Sequence, residues 1–256
     1  MKMTEILLEV CVDDADGLLA AIRGGADRVE LCSALEVGGL TPTPGLIDLA
    51  RSLNGSVPVF AMVRPRAGDF SYSDREFESM RKDIECVAKA RLAGIVFGAN
   101  HCDGTLDRHR LEIMAKMAKE FGLGTTLHRS FDLVPHIGEA IALAAELGIE
   151  RILTSGRAAK AIPDGLEDIA KTVEIANGKG IKVMVGAGIR AENVGQLFGR
   201  IPFGIWEVHS SCSSVEETNA EKSGQTIAKL GFEPNGGKRR TNESEVRRMK
   251  EALGRN

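Results

Sequence analysis

Short apolar runs alternate with longer amphipathic stretches along most of the chain. Eight runs stand out: Ile6–Val12, Arg28–Cys32, Pro58–Val63, Gly94–Phe97, Gly124–His128, Arg151–Leu153, Ile181–Val185 and Ile205–Val208. Runs this short, apolar on both faces, read as buried parallel strands. The stretches between them carry a helical period. Asp14–Arg23 sets Leu18, Leu19 and Ile22 on one face and stops at Gly24-Gly25, the usual punctuation of a helix C-terminus. Ser73-Asp74-Arg75-Glu76 is a capping box opening a helix to about Leu92. Asp107–Phe121, Ile137–Leu147, Gly165–Asn177 and Ala191–Phe198 repeat the period. Strand–helix alternation makes a parallel sheet, and eight repeats suffice to close it. The pattern therefore predicts an α/β fold, a single-domain (β/α)8 TIM-type barrel over residues 1–256. From Ser211 to Thr241 the chain is rich in Ser, Gly, Asn, Glu and Lys without a strand pattern, so 211–241 is predicted to be irregular. Asn242-Glu243-Ser244-Glu245 then caps a last helix with Val246, Met249 and Leu253 on one face.

A weak internal echo accompanies the repeat. Gly25-Ala26-Asp27-Arg28-Val29 leads into the second strand and Gly148-Ile149-Glu150-Arg151-Ile152 into the sixth, half a barrel apart. Duplication of a half-barrel and a shared turn solution both account for it.

Composition narrows the function classes. A net charge of −3 and a pI near 6.0 give no electrostatic reason to expect nucleic acid or a membrane surface. Lys238-Arg239-Arg240 reads as a solvated loop. No run approaches the roughly 20 apolar residues of a membrane span, and Glu5 and Glu9 interrupt the only apolar candidate for a leader. Five cysteines without CxxC spacing point to a reducing compartment, hence the cytoplasm. Cys86 falls in a helical pattern and is expected in the core; Cys102 and Cys212 fall in loops.

The uncommon polar chemistry gathers at the C-terminal ends of the strands, the working face of such barrels. With period two, Glu9 shares a face with Cys11, Glu30 with Cys32, Thr126 with His128, and Glu207 with His209. Charge is unwelcome under the helix layer, so these pairs are expected to point into the barrel, where buried charge must be paired or metal-bound. A salt-bridge network in which Arg64 neutralises Glu9 and Glu30 is one reading. Two metal readings stand beside it. Cys11 and Cys32 end adjacent strands and could hold Cu(I) as soft ligands. Alternatively Glu9, Glu30, His128 and His209 suit a divalent metal such as zinc. A further signal is anionic. Gly186-Ala187-Gly188 and Ser210-Ser211 follow the seventh and eighth strands, where barrel enzymes hold phosphate; a tight turn explains the glycines equally well. Arg64 and Arg66, in a loop with Asp69 and Phe70, and Arg129 could add guanidinium contacts. The candidate substrate-binding set is thus Glu9, Glu30, Arg64, Arg66, Asp69, Arg129, Ser155, Gly186, Gly188 and Ser210. His128, Asp132 and His209 are the candidate catalytic groups if there is turnover, with Asp132 either orienting His128 or capping the next element.

These residues resemble a known family. Glu9-Val10-Cys11, Gly25–Cys32, Gly38-Gly39-Leu40-Thr41-Pro42, Arg64–Phe70 with Tyr72-Ser73-Asp74, Leu127–Asp132, Leu153-Thr154-Ser155-Gly156, Gly186–Ile189 and Glu207–Ser211 look like the CutC copper homeostasis proteins. The resemblance covers about residues 6–211 and resumes in the last helix. It implies a cytoplasmic (β/α)8 barrel, often a homodimer, that handles copper, with Cys11 and Cys32 as the copper ligands. Ala67 and Ser130 depart from the family pattern, and the tail from Cys212 does not match it. Two functions follow as expectations: a copper-binding homeostasis protein, or a barrel enzyme acting on a small anionic or phosphorylated metabolite.

Overall fold

The computed structural model describes residues 6–53, 55, 57–215, 230 and 239–254. Eight strands follow one another around a closed barrel: β1 (Leu7–Val12), β2 (Arg28–Leu31), β3 (Val59–Met62), β4 (Gly94–Phe97), β5 (Gly124–Leu127), β6 (Arg151–Thr154), β7 (Lys182–Val185) and β8 (Ile205–Ser210). All neighbours are parallel and β8 closes on β1. The helices are α1 (Ala15–Gly24), α2 (Pro44–Ser52), α3 (Asp74–Lys89), α4 (Arg108–Phe121), α5 (Ile137–Glu146), α6 (Leu166–Asn177), α7 (Val194–Arg200) and α8 (Glu243–Leu253). The expected α/β barrel is what forms.

Alternation along each strand sorts the chain into two interiors. Leu8, Val10 and Val12 of β1 face the helices and join a large core with Leu18, Met80, Leu111, Ile141, Ile169 and Val246. Inside the barrel lies a separate, small apolar cluster of Cys32, Phe60, Met62 and Val96, beside the buried charged residues Glu9, Arg28, Arg151 and Glu207. Local signals work as expected at several ends. The Asp14 carboxylate accepts from Gly17 N–H at 2.7 Å, and Gly25, at φ 91°, closes α1 by donating to Ala21 and Ile22. Ser73 and Glu76 form the reciprocal capping box of α3.

Five features differ from expectation. Helix α2 was not apparent in the sequence, because its buried stripe is only Ile47 and Ala50, too short to establish a period; Thr43 caps it and Pro44 starts it. Helix α7 begins at Val194 rather than Ala191, since the Asn193 side chain accepts from Arg190 N–H and donates to Gly188 O, holding 190–193 as a turn. The stretch 211–241 is not wholly irregular: β9 (Ser213–Val215) pairs antiparallel with β10 (Arg239–Thr241). Residues 216–229 and 231–238 lie outside the described residues. Of the basic cluster, Arg239 and Arg240 lie in β10 rather than in a loop, and Arg240 pairs with Asp14 and Asp16; Lys238 lies outside the described residues. Finally, Cys86 is exposed on α3 rather than in the core.

Candidate functional site

The lower half of the barrel interior is an ionic lattice. Register sets Glu9 beside Arg28 on one side and His209 on the other. Arg28 Nε binds Glu9 and its Nη2 binds Glu207. Arg151 Nε reaches Glu207 at 3.2 Å, its Nη1 donates to Thr125 O and Thr126 Oγ1, and its Nη2 to Glu150 Oε2. Both guanidiniums lie over the Phe60 ring, at 5.2 and 5.0 Å. Burial alone would raise the Glu9 carboxyl, but Arg28 and His209 outweigh it and hold it down at about 2. The expected partner of the glutamates, Arg64, takes no part. Arg28 and Arg151 do that work, and they are the two arginines of the internal echo. Sequence reasoning did not single them out, although period two already set Arg28 on the face of Glu30 and Cys32.

Above the lattice, Cys11, Glu30 and His209 come together. One sulfur, one carboxylate oxygen and one imidazole nitrogen lie within 4.8 Å of one another, all buried. His209 Nδ1 is 2.8 Å from Glu9 Oε1, and Nε2 is 3.8 Å from Glu30 Oε2. Burial disfavours the imidazolium, yet Cys11, Glu30 and Glu9 together push His209 well above its ordinary value. Burial, with Glu9 nearby, pushes Glu30 up, and Glu30 Oε1 has no partner. Cys32 stands next to this group and not within it: its Sγ donates to Glu30 Oε2 at 3.5 Å. Burial and the neighbouring acids push the Cys32 thiol well up. Neither Glu9 nor His128 joins that cluster, so the set Glu9, Glu30, His128 and His209 does not assemble as one metal cage.

The third part of the mouth is a stack. Arg64 lies over the Phe70 ring at 5.0 Å, and Phe70 meets His128 at 4.8 Å. His128 fits because Gly98 has no side chain: a Cβ there would sit 2.5 Å from His128 Cε1. Its Nδ1 accepts from Ser130 N–H at 3.1 Å. Burial, aided by the charge of Arg64, holds His128 down at about 3.

Other expected site residues serve mainly to shape loops. Asp132 does not touch His128. It accepts from Thr154 Oγ1 at 2.6 Å, Ser155 Oγ at 2.8 Å and Arg129 Nε at 2.9 Å, tying the turn after β5 to the end of β6. Ser155 Oγ also lies 2.6 Å from Ala158 O, so its one proton is shared between that carbonyl and Asp132. Arg66 is held by Glu76 at 2.5 Å and Asp69 at 2.9 Å, a brace around its own loop. Gly186 N–H donates to Thr154 O, and a Cβ there would press on Leu153 at 2.8 Å. Gly188 takes φ 77° in a turn that ends six residues before α7 starts; no helix N-terminus stands behind it. Ser210 Oγ donates to Ile189 O.

A cavity of about 240 Å³ opens between these parts. Its wall includes Cys11, Glu30 and His209 below, Arg64, Phe70 and His128 on one side, and Ala187–Arg190, Ser210 and Arg129 around the rim. Arg190 was missed in the sequence; it follows an ordinary strand-end turn, with nothing in its spacing to mark it. Among the described residues no helix is long and apolar enough to cross a membrane.

Comparison with known proteins agrees with this architecture. The CutC family profile matches residues 6–214. A CutC family protein from Sinorhizobium medicae is 50% identical over 98% of this chain and 97% of its own length. One from Rhizobium meliloti is 48% identical over 98% and 97%. Among solved structures, the CutC protein of Streptococcus agalactiae, to which a role in copper homeostasis has been ascribed, superposes with a TM-score of 0.74 at 31% identity, covering 80% of this chain and 98% of its own. Sequence profile, full-length relatives and barrel geometry coincide: the chain belongs to the CutC family.

Proposed function

We propose that this is a cytoplasmic copper homeostasis protein that holds a copper ion at the mouth of its barrel through Cys11 and His209, with Glu30 beside them. The observation that carries this reading is the convergence of sulfur, nitrogen and oxygen donors within 4.8 Å. Thiolate and imidazole are the ligand types copper favours. Cys32, whose Sγ already contacts Glu30, is near enough in sequence register to serve as a second sulfur once deprotonated. The family resemblance and the role ascribed to the Streptococcus agalactiae relative point the same way. The homodimer implied by that resemblance belongs to this reading and is checked by light scattering. Because His209 is held protonated in the metal-free site, copper binding displaces its proton and tightens as pH rises. Titration with Cu(I) under reducing conditions should saturate near one equivalent per chain, and Cys11→Ser should abolish it. Unchanged affinity in that variant removes the assignment, while loss in Cys32→Ser as well supports two sulfurs.

A second reading, an enzyme acting on a small anionic or phosphorylated metabolite with His128 and His209 as acid–base groups, is favoured by one observation. The cavity of about 240 Å³ is far larger than an ion, and Arg64, Arg129 and Arg190 stand on its wall. A copper carrier needs neither. A thermal-shift screen of small metabolites against the metal-free protein tests it: no stabilising ligand, no enzyme.

A further inference from the structure

Arg64 is a buried cation with no counter-charge among the described residues. Only 5% of it is exposed, and its guanidinium donates to three backbone carbonyls: Val37 at 2.8 Å, Gly39 at 3.0 Å and Gly68 at 3.0 Å. Carbonyl dipoles satisfy N–H groups but carry no net charge. Among the described residues no carboxylate forms an ion pair with it, whereas the other two arginines of the barrel interior, Arg28 and Arg151, both clamp Glu207. The Arg64 Nε–H is buried with no partner. A charge so placed is costly unless something completes it.

His128 is the neighbouring anomaly. Since Nδ1 accepts the Ser130 N–H, the proton of the neutral ring sits on Nε2. That Nε2 is buried and unpartnered, although buried donors are almost always satisfied. The ring cannot swing away to find a partner: Phe70 packs against one part of it, and the space above Gly98 accommodates another. The low proton affinity of His128 keeps it a neutral donor at physiological pH. An uncompensated cation and an orphaned donor thus line one wall of the same cavity.

We infer that the Arg64–His128 wall is an oxyanion subsite, taking the carboxylate or phosphate oxygen of a small ligand, with His128 Nε2–H donating the hydrogen bond and Arg64 supplying the counter-charge. This rests on the second reading of the cavity and is independent of copper. It also moves the anion site from the Gly186–Gly188 turn to the opposite lip. The glycine turn has no helix behind it, and Ser210 already spends its hydroxyl on Ile189. Preorganised donors of this kind are aimed at developing or resident negative charge on oxygen.

The test uses metal-free protein with 15N-labelled histidine, titrated separately with inorganic phosphate and with glycolate. The His128 Nε2 resonance should move saturably with at least one of them. Phosphate alone identifies a phosphoryl head, glycolate alone a carboxylate. His128→Phe keeps a ring against Phe70 and removes the donor, so it should weaken binding of the same probe at least about tenfold, the effect of losing one hydrogen bond to a charged group. If that variant does not fold, the wild-type resonance decides. A shift reproduced by chloride at equal ionic strength, no shift with either probe, or unchanged binding in His128→Phe overturns the subsite. A metabolite found in the thermal-shift screen that leaves His128 undisturbed sinks this inference while sparing the enzyme reading. A saturable phosphate response with no stabilising metabolite in the screen does the reverse.

Discussion

The barrel interior has two storeys built from the same residue types with opposite outcomes. Below, Glu9, Arg28, Glu207 and Arg151 are all hydrogen-bonded to one another or to nearby groups. Above, Glu30 Oε1, Arg64 Nε and His128 Nε2 are buried with no partner. A satisfied polar network fixes a structure; an unsatisfied one is tolerated only where something else completes it. The lower storey is the more highly charged, yet its carboxylates and guanidiniums already answer one another. In the proposed reading it is the unpaired atoms, not charge density, that mark the working half.

Breaking the closed storey should produce the largest effect. Arg28→Met leaves Glu9 and Glu207 buried without their shared cation, and should cost about 3–5 kcal/mol in chemical denaturation. A loss no greater than that of a surface arginine would erase the distinction between the storeys. Next comes the pH dependence of the upper storey. Above pH 6.5 His128 is neutral folded and unfolded; below it the unfolded chain takes a proton that the folded ring, held at about 3, refuses. The unfolded state binds more protons in that window, so stability falls as pH falls, by about 2 kcal/mol at pH 5. The Glu9 carboxyl, depressed to about 2 from 4.5, contributes its own loss only at lower pH, while Glu30, pushed up by burial, works in the opposite sense, so the His128 part is read as the difference between the parent and His128→Phe. His128→Phe should flatten the stability profile between pH 6.5 and 5; an unchanged slope would mean the ring is not the source. Smallest of all should be Glu30→Gln, since the acid it replaces has an unpartnered oxygen. Its stability should stay within about 1 kcal/mol of the parent while copper affinity falls. A large destabilisation would instead place Glu30 with the closed storey.

Much of this was readable in the sequence, with limits of a definite kind. Period two and strand–helix alternation are local, so eight strands and the inward faces that carry Cys11, Glu30 and His209 followed from them, whereas the expected sets were Cys11 with Cys32, and Glu9, Glu30 and His128 with His209, not the trio that forms. Pairing inside the barrel is not local. Whether Arg28 or Arg64 meets Glu9 depends on how β2 and β3 stagger against β1, and nothing within either run encodes that. Asp132 belongs with Thr154 and Ser155 rather than His128 for the same reason: its partners arrive from another strand. Helix α2 and strands β9 and β10 escaped because two buried residues, or three mostly polar ones, carry no measurable period.

The clamp on Glu207 has a kinetic side. Arg28 and Glu207 are 179 residues apart and Arg151 and Glu207 are 56 apart, and the acid sits on the strand that closes the barrel. Until β8 docks, Arg28 has only Glu9 as a counter-ion and Arg151 lacks its buried one, so the first seven strands gain only part of what burying them returns. Contacts of such long sequence separation form late and slowly. Docking of the last strand should therefore follow the rate-limiting step of folding, and a substitution at Glu207 should act chiefly on the unfolding rate, leaving the early, locally stabilised βα units to form as before.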